Sequence, residues 1–110
     1  MHWIHLTDED QLKQLITKSE ERPQVIFKHS IRCNISSVAL NRIEKDCCPG
    51  NTDFYYLDLI SYRSISNKIA ELFHVPHESP QVLVIKKGEC VYEESHLAIT
   101  MDDIREEVAA

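Results

Sequence analysis

Glycine and proline are scarce here, two and four residues in a chain of 110. That scarcity argues against flexible linkers, collagen-like repeats and low-complexity tracts, and no internal repeat is visible. No stretch approaches the roughly 18 consecutive apolar residues of a membrane-crossing helix. The opening MHWIHLTDED has neither the basic start nor the apolar run of a secretory signal, so a cytoplasmic location is expected. Lysine and arginine never cluster with aromatics, and the formal net charge is -6. Nucleic acids and anionic membranes, which draw their affinity from cationic patches, are therefore not expected as partners.

What is present is ordinary globular material, 43% hydrophobic and 27% charged, enough for one domain over residues 1–110. The four cysteines, Cys33, Cys47, Cys48 and Cys90, are read as free thiols, because a chain of this size in a reducing compartment needs no disulfide framework.

Hydrophobic periodicity orders the elements. Trp3–Leu6 reads as a short strand, and Thr7 as the cap of a helix carrying Leu12, Leu15 and Ile16 that ends near Glu21. Gln24–Lys28 is a buried strand. A second helix starts at Cys33, with Ile35, Val38, Ala39 and Ile43 sharing a face, and Pro49-Gly50 stops it. Phe54–Leu59 is a strand, and Ser64 opens a helix whose apolar face is Ile65, Ile69, Leu72 and Phe73. Two further strands, Gln81–Lys86 and Cys90–Glu93, flank a tight Lys87-Gly88 turn, and Thr100 with Asp103 resembles a capping box for a last helix. The order β-α-β-α-β-α-β-β-α predicts an α/β fold. Its mixed central sheet has parallel strands plus a C-terminal antiparallel hairpin, with helices on both faces.

In that layout Cys33 lies beyond the carboxyl end of the second strand, at the start of a helix, where open α/β sheets place their ligands. Unpaired helix N–H groups and the positive end of the helix dipole favour a thiolate there, and Arg32 adds a permanent positive charge. Arg32, Asn34 and Ser36 are poor company for a thiol that serves only as a small buried hydrophobe. Ser36, one turn on, could donate its hydroxyl to the sulfur. His29 is near enough in sequence to help if charged, but it is read as solvated or hydrogen-bonded and carries no assigned role. His74, His77 and His96 flank loops and are read as surface residues, with lining the substrate groove as the alternative, and Cys90 as packing, or as a route to oxidative dimers if exposed.

These residues carry a resemblance. The strand-then-corner order, the Cys-x-x-Ser motif at Cys33 to Ser36, and Ser79-Pro80 just before a strand resemble the thioredoxin superfamily. Within it, FKHSIRCNISSVAL, HESPQVLVIKKGE and YEESHLAIT resemble the monothiol bacilliredoxins, YtxJ-like proteins of the bacillithiol system. The resemblance implies a thioredoxin-like fold and a monothiol thiol-disulfide oxidoreductase. Such an enzyme reduces protein mixed disulfides with a low-molecular-weight thiol such as bacillithiol. By the same resemblance Cys33 is the nucleophile and Ser36 stands where dithiol relatives have a second cysteine. Arg32 and Asn34 flank and stabilise the thiolate, Ser79 offers backbone to the substrate, and Pro80 is cis. Asn34 departs from the family, which usually carries proline there.

With serine at position 36, a mixed disulfide at Cys33 must await a second thiol. Cys47 cannot serve: a continuous helix would hold it about 21 Å from Cys33, against roughly 4.4–6.8 Å between the Cα atoms of a disulfide. No metal and no tightly bound cofactor are expected. A small thiol is the co-substrate, S-thiolated proteins are the partners, and the chain is expected to be a monomer or weak dimer. Two other readings share the motif: a non-catalytic thioredoxin-fold module that senses oxidation or binds a protein, and an iron–sulfur carrier like some monothiol glutaredoxins.

Overall fold

The computed structural model describes residues 1–110. The elements are β1 (Trp3–His5), α1 (Glu9–Lys18), β2 (Gln24–His29), α2 (Asn34–Glu44), β3 (Asp53–Asp58), α3 (Arg63–Phe73), β4 (Gln81–Lys86), β5 (Glu89–Ser95), a 3-10 turn (His96–Ala98) and α4 (Met101–Ala109). The strands form one sheet in the order β1-β3-β2-β4-β5. β1 and β2 run parallel to β3, whereas β4 is antiparallel to β2 and to β5, so the sheet is mixed as its element order predicts. No helix is long and apolar enough to cross a membrane.

β2 is central and buried along its whole length. Its side chains alternate between two cores, as the period of a strand requires. Ile26 joins Leu12, Leu15, Leu57, Ile69 and Leu83 on one face, and Val25 and Phe27 join Ala39, Ile43, Val84, Met101 and Ile104 on the other. Each such fully buried Leu, Ile or Phe contributes about 1.5–3 kcal/mol.

Register decides where the chemistry can sit. Lys28 of β2 pairs with Gln81 of β4 in antiparallel register, which brings the residues after β2 alongside those before β4. His29 pairs with Asp58 of β3 in parallel register, and the Leu59 N–H bonds His29 O at 3.0 Å. Three chain segments far apart in sequence thus emerge at one end of the sheet.

Several local expectations are corrected. The cap of α1 is Asp8 rather than Thr7: its carboxylate accepts from Gln11 N at 2.8 Å, and the Gln11 side chain accepts from Asp8 N in return. α1 ends at Lys18, before Glu21, because the hairpin turn claims Ser19. Lys87 N–H bonds Ser19 O at 2.8 Å, and Gly88 N–H bonds Ser19 Oγ at 2.9 Å. Lys87 and Gly88 both have positive φ, 51° and 76°, the backbone of a two-residue hairpin turn that glycine enters without strain. On α2 the inward stripe is Ser36, Ala39 and Ile43, leaving Ile35 and Val38 exposed. Leu72 of α3 is exposed as well, while Ser66 is buried in the face with Ile65, Ile69 and Phe73. Thr100 caps α4 as expected, accepting from Asp103 N at 3.2 Å.

Candidate functional site

Cys33 is the N-cap of α2, half-buried and in extended conformation (φ -113°, ψ 118°). Its N–H bonds Ser30 O at 3.1 Å, closing the turn that follows β2, and its carbonyl accepts from Ser37 N at 3.1 Å. No side chain caps the helix and no acidic residue occupies its first turn. The N–H groups that a cap or carboxylate would engage are thus left for an anion at the helix start. The thiol is free, as are Cys47, Cys48 and Cys90.

The sulfur opens on a cleft of about 420 Å³. The turn after β2 supplies Ser30, Arg32 and Cys33, the end of β3 supplies Leu59 and Ile60, α3 supplies Arg63, and the loop before β4 supplies His77 and Ser79. The Ser79–Pro80 bond is cis. Ser79 Oγ is buried with no hydrogen-bond partner, and its backbone groups take no partner in the turn and loop bonding. Arg32, Cys33 and Ser79 therefore meet. Asn34 is exposed on the first turn of α2 and is not among the lining residues, and Pro80 is buried behind Ser79.

Ser36 is placed differently from expectation. Its side chain is fully buried, its Oγ accepts from Ser30 N at 3.1 Å, and it lies 2.7 Å from His29 Nδ1. The hydroxyl is thus engaged on the inner side of the helix rather than with the sulfur. It fixes the turn that carries Cys33 and aims the Ser36–Ala39–Ile43 stripe at the sheet. His29 is correspondingly buried rather than solvated, with Phe27 and Tyr56 rings around it. Burial pushes its pKa below the usual imidazole value, against the nearby carboxylates of Asp58 and Glu44, which biases the ring toward its neutral form.

Two residues, Lys28 and Arg63, escape sequence reasoning, and a third, His77, is weighed there only as an alternative. Lys28 is 0% exposed, and Arg63 and His77 line the cleft. A lysine in a run that is otherwise a buried strand is the one visible signal, since lysines are almost never fully buried unless paired. Nothing local marks Arg63, and nothing local singles out His77 among the three loop-flanking histidines. Cys90 packs on the edge of the core, and burial raises its pKa, which matches a packing role.

A model of the family described as monothiol bacilliredoxin BrxC matches residues 4–104. Among solved structures, the chain resembles a proposed oxidoreductase with a thioredoxin fold at 32% identity and TM-score 0.83, covering 94% of this chain and 91% of that one. It also resembles thioredoxin from Trypanosoma brucei brucei at 12% identity and TM-score 0.75, over 98% and 88% of the two chains. Fasciola hepatica thioredoxin matches at 19% identity and TM-score 0.71, over 96% and 95%. The two thioredoxins speak to the fold alone.

Proposed function

The chain belongs to the monothiol bacilliredoxin family and is a thiol oxidoreductase of thioredoxin fold, and we propose that it reduces mixed disulfides between proteins and a small thiol such as bacillithiol, through Cys33. The observation that carries this reading is the single thiol at an uncapped helix start, opening on a cleft beside Ser79 and cis-Pro80, with a buried serine one turn on.

The Cys33 thiolate attacks the small-thiol sulfur of an S-thiolated protein. A bond forms between Cys33 Sγ and that sulfur, and the original S–S bond breaks. Its electron pair leaves on the protein sulfur, which takes a proton from solvent. A second small thiol, or a reductase, then attacks the adduct and restores Cys33. Ser36 cannot perform this resolving step, because a serine hydroxyl forms no disulfide. Arg32 and the uncapped helix start, with Asn34 beside it, set a cation and unpaired N–H groups next to the attacking sulfur. Ser79, backed by Pro80, offers main-chain hydrogen bonds to the substrate. The small thiol acts as co-substrate, with no tightly bound cofactor, and the location proposed is cytoplasmic.

The test is turnover of a bacillithiolated reporter protein with a recycling thiol, followed by intact mass, beside Cys33→Ser. Many reporter molecules released per protein chain, with one small-thiol adduct on Cys33 and neither in the variant, is the expected result. An adduct without turnover would overturn the reading in favour of a sensor or binding module.

A further inference from the structure

Beneath the cleft lies a cluster that sulfur exchange does not by itself require. Lys28 of β2 is 0% exposed, and no carboxylate pairs with it. Its Nζ donates to Ser66 O at 3.2 Å and lies 3.3 Å from His77 Nδ1. Ser66 Oγ lies 3.2 Å from the same Nδ1. An ammonium has only protons to give, so His77 Nδ1 must be the acceptor, and a neutral ring with a lone pair on Nδ1 carries its proton on Nε2. Two donors thus converge on one ring nitrogen. The other has no partner within the chain, on a ring that is exposed and lines the cleft with Cys33.

Charge keeps the ring in that state. Burial first, then Lys28 of β2 and Arg63 of α3, hold His77 below the usual imidazole pKa, opposed by Glu78 of its own loop. A methionine at position 28 would fill similar space without the cost of a buried ammonium that lacks a counter-charge. The lysine supplies what methionine cannot: a cationic donor to Nδ1.

We propose that Lys28 is a positioning residue that locks His77 as its Nε2–H tautomer, and that this N–H donates a hydrogen bond to the sulfur departing as Cys33 attacks a mixed disulfide. The proposal rests on the exchange reading above. His77 keeps its proton throughout; the electron pair of the broken S–S bond leaves on the departing sulfur, and solvent protonates it. The gain arises as negative charge grows on that sulfur, where a fixed N–H is worth more than to the neutral disulfide.

The experiment uses the full chain. Nitrogen-15 NMR of the imidazoles at pH 7 is expected to show His77 as the Nε2–H form, and in Lys28→Met as a mixture of tautomers. His77→Phe is expected to lower kcat for the thiolated reporter about tenfold while changing KM little, as for losing a hydrogen bond to a charged group. His77→Gln, whose side-chain amide restores a donor, recovers most of that loss. Iodoacetamide alkylation of Cys33, which needs the thiolate but no departing thiol, stays within twofold in both. Should Lys28→Met not fold, the wild-type tautomer and the two variants at the exposed His77 decide alone. A wild-type Nδ1–H ring, or an active wild type with an indifferent His77→Phe, overturns the proposal. A wild type without turnover instead overturns the exchange reading on which it stands.

Discussion

Both ends of β2 bury polar side chains, and they do so differently. At the amino end Gln24 is fully buried, and its amide is closed on every side. Its Nε2 donates to Asp53 Oδ2 at 2.9 Å and to the carbonyls of Arg22 and Pro23 at 3.1 Å, while Tyr55 Oη donates to its Oε1 at 2.7 Å. At the carboxyl end Lys28 and His29 are buried on opposite faces, and neither has a carboxylate in hydrogen-bond contact. Nearby, Ser79 Oγ has no partner at all. A neutral amide with complete partners joins strands and does nothing more. Basic groups with spare donors, set beneath the cleft that holds the thiol, can still donate to a neighbouring group.

The contrast breaks most visibly at Lys28. Burial pulls its pKa from the usual 10.5 down to about 8. Between those values the unfolded chain holds a proton that the folded chain has released. Raising the pH through that window therefore favours the fold, and below about 8 the folded state bears the full cost of the buried ammonium. Urea denaturation is expected to show wild-type stability rising relative to Lys28→Met by about 3 kcal/mol from pH 8 to 10.5, and flat below. Parallel curves would mean that the ammonium is not desolvated.

At the closed end, Tyr55→Phe leaves Gln24 Oε1 buried and unpaired, an expected loss of about 1–3 kcal/mol in chemical denaturation. The rate of Cys33 alkylation should not change; if it does, the two ends of β2 are coupled and the contrast fails. The smallest effect belongs to the hairpin turn at that same end. Gly88 has φ 76° and open space where a Cβ would stand, so Gly88→Ala costs backbone strain alone, about 1 kcal/mol by thermal unfolding. A larger loss would show that its N–H bond to Ser19 Oγ, at 2.9 Å, is disturbed as well.

Much of the fold is legible because short-range chemistry marks it: the apolar run of β2, the helices' apolar spacing, Thr100 before Asp103, and Lys87-Gly88 between two strands. The structure departs from that pattern where tertiary contacts outvote it. Ile35 and Val38 belong to an apolar stripe by spacing, yet the bonds from Ser36 to His29 and Ser30 turn Ser36, Ala39 and Ile43 inward instead. Thr7 is a good cap, but Asp8 has the Gln11 partner that completes a reciprocal pair.

For the site, residue order around positions 28 to 36 is enough to set one thiol at a strand-to-helix corner next to a permanent cation. What faces that thiol depends on long-range packing. Arg63, His77 and Ser79 reach the cleft because β3 runs parallel and β4 antiparallel to β2, and register across a sheet is a long-range property that no local periodicity encodes. The same packing turned Lys28 from one charged residue in a strand into a desolvated ammonium against His77, because the helix and loop that cover its face come from residues far along the chain.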